Sequence, residues 1–517
     1  MVCLVMERGA ILAVVGILLA IIGTVLSFNW GFILHCIFVL ELPLSPISKT
    51  YPSWQKSALT ANIYLFNWTN PEQLLEENYV PEFVEIGPYS FKETFEKVNL
   101  TWNANNTVTF KRIRHWYFDP ENSNGTMKDN ITMLNVVPLS ASYIARYWST
   151  FSSYALSTGM RMMSKVWITK PAKEILFDGY DDPLMKIVNA APSLLGTTVP
   201  GDKMGWYYGR NGSSEMDGVL NLFTAADDIS KMGRIHSWNY NTRIPVYDGE
   251  CGNITGSIGE FFAPAQTREK PVYIFNPDIC RSIKLEYMED TDISGLPAYR
   301  YEGSISLVDN GTVHPSTSCG CTGECLPVGV YNYSMCRYGI PAFLSYPHFY
   351  RADPFYLRQV KGLKPDPERH RFDIALEPTS GVPLDIAGRI QLNLLLQPNE
   401  RNRMYWNMPR IMFPMLWFEE LATVSSEDVW ELKLLLMLPV FGPYISTLVA
   451  VLGLILLTIA VLPKILHYAR CKAPHLFLRQ SSEVKATHRI LSKNIILTTV
   501  PRGDVTVKPP EQCSLLD

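Results

Sequence analysis

Two uncharged apolar runs, residues 9–28 and 444–462, stand near the ends of this chain and divide it into a large middle and two short tails. At about 1.5 Å of rise per residue the first run makes a helix about 30 Å long, the thickness of a bilayer's hydrocarbon core. The second begins after Pro439 and Pro443 and ends at Pro463-Lys464. No small-x-small cleavage site follows the first run, only Ser27-Phe28-Asn29-Trp30, which points to an uncleaved signal anchor rather than a removed signal peptide. The middle must then fold with both of its ends tied to one membrane.

Charge supports two compartments. The chain has 517 residues and a net charge of −3, yet residues 464–517 hold nine basic and four acidic side chains. Glu7 and Arg8 cancel, which leaves the span between the tails at −8. A small basic tail beside a large acidic body is not the pattern of one soluble globule. Lys464, Arg470 and Lys472 follow the second run directly, whereas residues 28–48 contain no arginine and no lysine before Lys49. Basic flanks stay cytosolic, so both termini are expected in the cytosol and the middle in the lumen or outside the cell. Nine N-glycosylation acceptors agree: Asn67, Asn99, Asn105, Asn124, Asn130, Asn211, Asn253, Asn310 and Asn332 all lie between the runs. Six of the ten cysteines, Cys251, Cys280, Cys319, Cys321, Cys325 and Cys336, cluster in residues 251–336 among these acceptors. In a cytosolic chain the tight Cys319, Cys321, Cys325 run would read as a metal site. In an oxidising lumen the six thiols read as three disulfides, with no metal, and spacing leaves all their connectivities open.

The domain plan is a cytosolic tail (residues 1–8), a membrane helix (9–28), a lumenal or extracellular domain (29–443), a second membrane helix (444–462) and a cytosolic tail (463–517). Within the large domain, Asn70-Pro71-Glu72 reads as a helix start, and residues 107–118 as a strand. Ile144, Tyr147, Trp148, Phe151 and Ala155 recur at helical spacing and open a methionine-rich helical insert over residues 140–196. Five basic residues and no acidic one lie between Arg146 and Lys173, a cationic face suited to anionic lipids or particles. Tyr299, Tyr301, Gly303, Ile305 and Leu307 alternate with polar residues ahead of an Asp309-Asn310-Gly311 hairpin turn. The clearest strand is 382–396, where Val382, Leu384, Ile386, Ile390, Leu392, Leu394 and Leu396 share one face and Asp385, Arg389, Gln391 and Asn393 the other. That alternation sets one face on a core or cavity and the other on a polar surface.

Several stretches resemble the class B scavenger receptors: Gly87-Pro88-Tyr89, Asn276-Pro277-Asp278-Ile279-Cys280-Arg281-Ser282-Ile283, Pro347-His348-Phe349-Tyr350-Arg351-Ala352-Asp353, Glu377-Pro378-Thr379-Ser380-Gly381 and Arg389-Ile390-Gln391-Leu392-Asn393. That family includes the fatty acid translocase, the high-density-lipoprotein receptor, lysosomal integral membrane protein, croquemort and the sensory neuron membrane proteins. The resemblance implies an α+β membrane protein: two transmembrane helices bracketing an antiparallel β-barrel-like ectodomain, with a helical bundle at the apex and an apolar tunnel. It also implies the bridges Cys251–Cys319, Cys280–Cys336 and Cys321–Cys325. Lipid capture is expected at the 140–196 bundle, with Arg161 and Lys165 as candidate anchors for carboxylate or phosphate groups. A sheathed path is physically sensible, since each methylene kept from water gains about 0.8 kcal/mol.

No GxSxG elbow, HExxH motif or phosphate loop occurs, so neither an enzyme nor a cofactor is expected, and nothing points to nucleic acid. The tail carries an acidic dileucine-like address in Glu511, Leu515 and Leu516, which implies cytosolic sorting adaptors. Cys3 and Cys471 are palmitoylation candidates. The leading expectation is a scavenger-type receptor of the plasma membrane or endosome–lysosome membrane. It would bind lipoproteins, fatty acids, sterols or anionic phospholipid and pass lipid through the tunnel. The alternatives are a trafficking receptor for a lumenal protein cargo and a sensory co-receptor for apolar ligands. No histidine lies between His115 and His236, which disfavours a histidine release switch in the apical bundle.

Overall fold

The computed structural model describes residues 2–190, 201–321, 323–337 and 339–491, with side chains over 9–186, 201–321, 323–337 and 339–469. They form two compact units: Cys36–Lys433, and the terminal segments Met1–His35 with Leu434–Asp517. In chain order, α1 (Val2–Glu41) and the short α2 (Tyr51–Gln55) precede three long strands, β1 (Lys56–Trp68), β2 (Phe83–Asn103) and β3 (Thr107–Phe118). A mixed segment follows: β4 (Asn130–Leu134), α3 (Val136–Ala145), α4 (Thr150–Met163), β5 (Trp167–Pro171) and α5 (Pro183–Ala190). Next come β6 (Val219–Phe223), β7 (Ile235–Trp238), β8 (Val272–Asn276), β9 (Arg281–Ile293), β10 (Leu296–Gly303), β11 (Tyr331–Asn332) and β12 (Ala342–Ser345). The chain then passes through α6 (Pro354–Arg358), α7 (Pro367–His370), β13 (Asp373–Leu376), β14 (Pro383–Leu396) and β15 (Ile411–Thr423) into α8 (Ser426–Leu491).

Thirteen of the strands make one antiparallel sheet whose path runs β7-β6-β3-β2-β1-β15-β14-β13-β10-β9-β8, with β12 on β14 and β11 on β12. Its two outer strands nearly meet. Gly256 O accepts from Ile235 N at 2.8 Å, at the start of β7, while Ser257 N donates to Tyr273 O at 2.9 Å and Ser257 O accepts from Phe275 N at 2.7 Å, on β8. A two-residue seam therefore satisfies edge groups on both sides and curls the sheet into a barrel-like enclosure, removing most of the open edge that would invite pairing with another chain. Only glycine fits this seam: φ at Gly256 is +92°, and a Cβ there would stand 2.2 Å from Tyr273 O. Inside, one continuous core gathers Trp54, Trp68, Tyr89, Phe110, Tyr301, Tyr331, Tyr346 and Trp417, all almost wholly buried.

α1 over Gly9–Glu41 and α8 over Ser426–Ala469 are each long and apolar enough to cross a membrane, and most of both belongs to the terminal unit. Both run past the apolar stretches that the sequence marks. Pro439, Pro443 and Pro463 lie within α8 rather than at its ends, as apolar spans tolerate where neighbouring groups take up the freed carbonyls. The two helices touch on small residues. A Cβ on Gly23 would sit 2.5 Å from Ala450 N, one on Gly453 2.4 Å from Ala20 N, and Trp30 Nε1 donates to Ser446 Oγ at 2.9 Å. Close backbone approach of this kind is how helices associate in lipid, where the hydrophobic effect gives no help.

Other local expectations are corrected. Asn70 caps no α-helix: Pro71–Gln73 is a single 3₁₀ turn, and Asn70 Oδ1 instead accepts from Glu82 N at 2.9 Å and Trp68 Nε1 at 3.1 Å. The strand at Tyr299 and Tyr301 stops at Gly303, Ile305–Leu307 is a 3₁₀ turn, and the hairpin is made earlier, by Ser294-Gly295 between β9 and β10. Asp309 is buried there and accepts from His314 N and Thr317 Oγ1, both at 2.7 Å. The polar side of β14 meets solvent only in part: Asp385 is half-exposed, but the later residues are not. Gln391 and Asn393 are wholly buried, Gln391 accepting from His348 N at 2.7 Å and Asn393 donating to Ser345 Oγ at 3.0 Å. The glycosylation acceptors divide as well: Asn99, Asn105, Asn124, Asn130, Asn211 and Asn253 are exposed, and Asn67 and Asn310 half-buried. Asn332 is 2% exposed, which leaves no open face for a glycan.

Replacing the seam glycine tests the closure. Gly256→Val is expected to lower stability by more than about 2 kcal/mol, from positive φ and the backbone clash together. Thermal unfolding of the purified protein would show this, whereas Gly259→Val, at a similar φ of +96° but with its nearest neighbour, an Ile274 methyl, 4.0 Å away, lacks the backbone clash and should shift it less.

Candidate functional site

A cavity of about 350 Å³ lies inside the Cys36–Lys433 unit. Its roof is α3, which presents Val136, Val137, Ala141 and Ile144, and its floor is the inner sheet face at Ala61, Ile63, Leu392, Leu416 and Phe418, with Leu344 beside them. α3 is held by a buried polar knot. Asn135 Oδ1 accepts from Val137 N at 3.4 Å and from the Tyr180 hydroxyl at 3.3 Å, while its amide donates to Asp182 at 3.0 Å. Asp182 in turn accepts from Leu184 N at 2.9 Å, which ties the start of α5 to the start of α3. The volume and the apolar walls fall in the range of small-ligand sites.

The cavity is not apolar throughout, contrary to the expected tunnel. One end is lined by Glu93, Arg114, Arg210, Asp278, Arg337 and Glu420. Strand alternation puts them there: on β3, Arg112 and Arg114 are in phase with Val108, Phe110 and Trp116, so all five point inward. Glu93 shares the inner face of β2 with Phe91 and Phe95. Arg112 Nε and Arg114 Nε donate to the same Asp217 oxygen at 2.7 and 2.8 Å, and Arg114 Nη1 lies 2.9 Å from Asp278 and 3.5 Å from Glu93. Arg210 bonds Asp278, and Arg337 donates to the Asp278 carbonyl with its guanidinium 3.8 Å from the carboxylate. The bridge Cys280–Cys336 lies beside both, two residues from Asp278 and one from Arg337. The other pairs are Cys251–Cys319 and Cys321–Cys325.

Burial and charge push these acids apart. Burial alone would raise the carboxyl of Asp278, but Arg114, Arg210 and Arg337 overcome it and hold it far below the ordinary range. Asp217 is lowered in the same way, against its burial, by Arg114 and Arg112. Glu93 goes the other way: burial, opposed by Arg114 and reinforced by Glu420, pushes it up to about 8. Glu420 is raised too, mainly by burial. Deeper in the barrel Lys97 is fully buried, bonded to Glu260 and, at 3.1 Å, to Ser57 Oγ.

The sequence-predicted anchors lie elsewhere. Arg161 on α4 and Lys165 just after it are exposed, neither lines the cavity, and neither has an ion-pair partner among the described residues. Arg146 is pinned by Glu324 at 2.6 Å, Lys170 by Glu174 at 3.1 Å and Lys173 by Asp178 at 2.9 Å. The expected single helix through Ile144, Tyr147, Trp148, Phe151 and Ala155 is two helices, α3 and α4, and the later Trp167–Pro171 is a strand. α4 is inverted: Ser153, Ser157 and Met160 face inward, while Phe151 is 85% and Met162 83% exposed. Its serines find partners inside, Ser153 Oγ donating to Ala145 O and Ser157 Oγ accepting from Arg403 N, each at 2.8 Å. Glu511, Leu515 and Leu516 lie outside the described residues, as do the side chains of Cys3 and Cys471.

The remaining family-like motifs are structural knots. His348 donates from Nε2 to Glu85 at 2.5 Å, accepts at Nδ1 from Lys364 N at 3.0 Å and stacks on His370 at 4.4 Å. Glu377 caps its own turn by accepting from Ser380 N and Oγ, both at 2.6 Å. Residues 14–463 match the model of the CD36 family. The chain belongs to the CD36 family. Protein peste of Drosophila melanogaster is 39% identical over 443 residues, covering 84% of this chain and 78% of the relative. Scavenger receptor class B member 1 of Bos taurus is 28% identical over 503 residues, covering 96% and 97%. Lysosome membrane protein 2 of Rattus norvegicus is 28% identical over 393 residues, covering 75% and 80%. This CD36-family protein is thus a membrane protein of a receptor family.

The Glu93 shift carries a sign that stability reports. Its folded-state preference for the proton is fully present below the ordinary glutamate range near 4.5 and is lost as pH rises through about 8. Asp217 and Asp278 act oppositely and matter only in strong acid. The melting temperature should therefore fall between about pH 5 and 9, and Glu93→Gln should flatten that fall by about 1–3 °C. Differential scanning fluorimetry across that range checks it.

Proposed function

We propose that this protein is a lipid receptor that meets lipid surfaces through α4, receives apolar ligand in the cavity under α3, and passes it on to its own membrane. The observation that carries this reading is the inverted α4. A helix that buries its serines and shows Phe151, Tyr154 and Met162 to the outside is poorly matched to water and well matched to an apolar surface. Arg161 and Lys165, without ion-pair partners among the described residues, stand beside that face and add attraction for anionic headgroups. α3, which lies just before α4 in the chain, roofs a cavity of ligand size. Likeness to scavenger receptor class B member 1 over nearly the whole chain supports the same reading. In this account the glycan acceptors and bridges stand in the lumen or outside the cell, both tails are cytosolic, and the ligands are lipoproteins, fatty acids, sterols or anionic phospholipid.

A second reading, a sorting receptor for a lumenal protein, draws on the Glu511, Leu515, Leu516 address and on the likeness to lysosome membrane protein 2. Affinity purification separates the two, since the first predicts co-purified lipid and the second a stoichiometric protein.

Two pairs of substitutions test the α4 surface. Full-length protein in neutral nanodiscs is captured on a sensor, and vesicles of neutral or anionic phospholipid are passed over it. Phe151→Ser with Met162→Ser is expected to weaken both kinds of vesicle by at least about ten-fold, since two apolar side chains entering lipid even in part contribute more than about 1.4 kcal/mol. Arg161→Glu with Lys165→Glu should weaken the anionic vesicles alone. Unchanged binding in both variants would remove α4 from the account.

A further inference from the structure

Asn211, in the acceptor sequence Asn211-Gly212-Ser213, is exposed but not loose. It forms a short parallel bridge with Arg114 on β3, in which Gly212 N donates to Arg114 O at 2.8 Å. Its Oδ1 accepts from Trp116 N at 3.3 Å, and its amide nitrogen, the atom that carries an N-linked sugar, makes no hydrogen bond among the described residues. The outer face of β3 at this level is aromatic. His115 and Tyr117 alternate with the inward Arg114 and Trp116, so both point away from the barrel. Their rings stand 6.2 Å apart and 26° from parallel. Tyr117 is 57% exposed, an aromatic ring left open to water. Gly212 sits directly over this surface, since a Cβ there would stand 3.4 Å from His115 Cε1. The same segment is a wall of the cavity: Met204, Trp206, Tyr207 and Arg210 line it from inside. Whatever holds residues 203–216 against β3 therefore also holds that wall.

We propose that the first N-acetylglucosamine of a glycan on Asn211 packs on Tyr117, with His115 beside it, and braces the cavity wall from outside. The inference rests on the lumenal or extracellular placement in the proposed function and adds a structural role for one glycan. A pyranose ring presents a face of C–H groups, and laying it on an exposed aromatic ring takes apolar area of both out of water. The bond from Trp116 N keeps the acceptor amide beside β3, so the sugar attached to it starts at the strand's outer face, where the two rings stand. Glycine in the middle of the acceptor sequence leaves that approach open, with no side chain between the backbone and His115.

The test uses full-length protein from glycosylating cells, kept folded in nanodiscs and treated with peptide-N-glycosidase, with release at each acceptor followed by glycopeptide mass spectrometry. Asn211 is expected to be occupied and to lose its glycan about three- to ten-fold more slowly than the exposed Asn253, whose amide oxygen is held by Arg243 instead of a strand. Tyr117→Ala should remove that protection and Tyr117→Phe, which keeps the ring, should retain it, with Asn253 unmoved by either. The brace is read as non-additivity. Ser213→Ala, which abolishes the acceptor but leaves Asn211, should lower the melting temperature by about 1–2 °C, and by half of that or less in a Tyr117→Ala background. A bare Asn211 with the other exposed acceptors filled, or a release rate that Tyr117→Ala leaves unchanged, would overturn the packing. Fully additive melting shifts would overturn the brace. No acceptor filled anywhere on the chain would remove the lumenal placement itself, and this inference with it.

Discussion

Backbone hydrogen bonding at the ends of one large sheet governs the rest of the ectodomain. A thirteen-stranded sheet has two edges, each a row of unpaired amides and carbonyls. Gly256 and Ser257 bond to both and draw them together. Once curled, the sheet has an inside, and everything on the inner face of β1, β2, β3, β14 and β15 is withdrawn from water whether or not it is apolar. The cavity, the buried charges and the helical roof all follow from that enclosure.

Enclosure explains why polar residues are tolerated in such number. Buried ions cost several kcal/mol each unless they are paired and hydrogen-bonded. Arg112 and Arg114 meet this by sharing Asp217, and Arg114, Arg210 and Arg337 by sharing Asp278. Arg112 also lies 4.9 Å over the ring of Phe95, and Lys97 5.6 Å over that of Trp54. Glu93 takes the other route and keeps its proton. The pairing is not complete everywhere: Arg210 Nε is buried without an acceptor among the described residues.

The sequence disclosed the plan more fully than the site. Two uncharged runs near the ends marked the two long apolar helices, six clustered cysteines the bridged region, and the alternation in 382–396 the strand that became β14. Period-two alternation, however, says which residues share a face, not which face looks inward. Arg112 and Arg114 sit in phase with Val108, Phe110 and Trp116, a signal that was present and points the arginines into the barrel. Asp278 stood in a quoted motif without its role being visible, because its three arginine partners come from distant parts of the chain. α4 misled in the opposite direction. Hydrophobic spacing implies a buried stripe only when the helix packs by its apolar face, and here the serines pack while Phe151 and Met162 stay outside.

Density in the cavity addresses the central claim most directly. A high-resolution cryo-electron microscopy map of the protein purified from cells, in nanodiscs, would show what fills the space between α3 and the sheet floor. The account predicts elongated, continuous density under Val137 and Ile144, ending against Arg114 and Asp278. Discrete water peaks, or a collapsed space with α3 seated on Leu416 and Phe418, would contradict it.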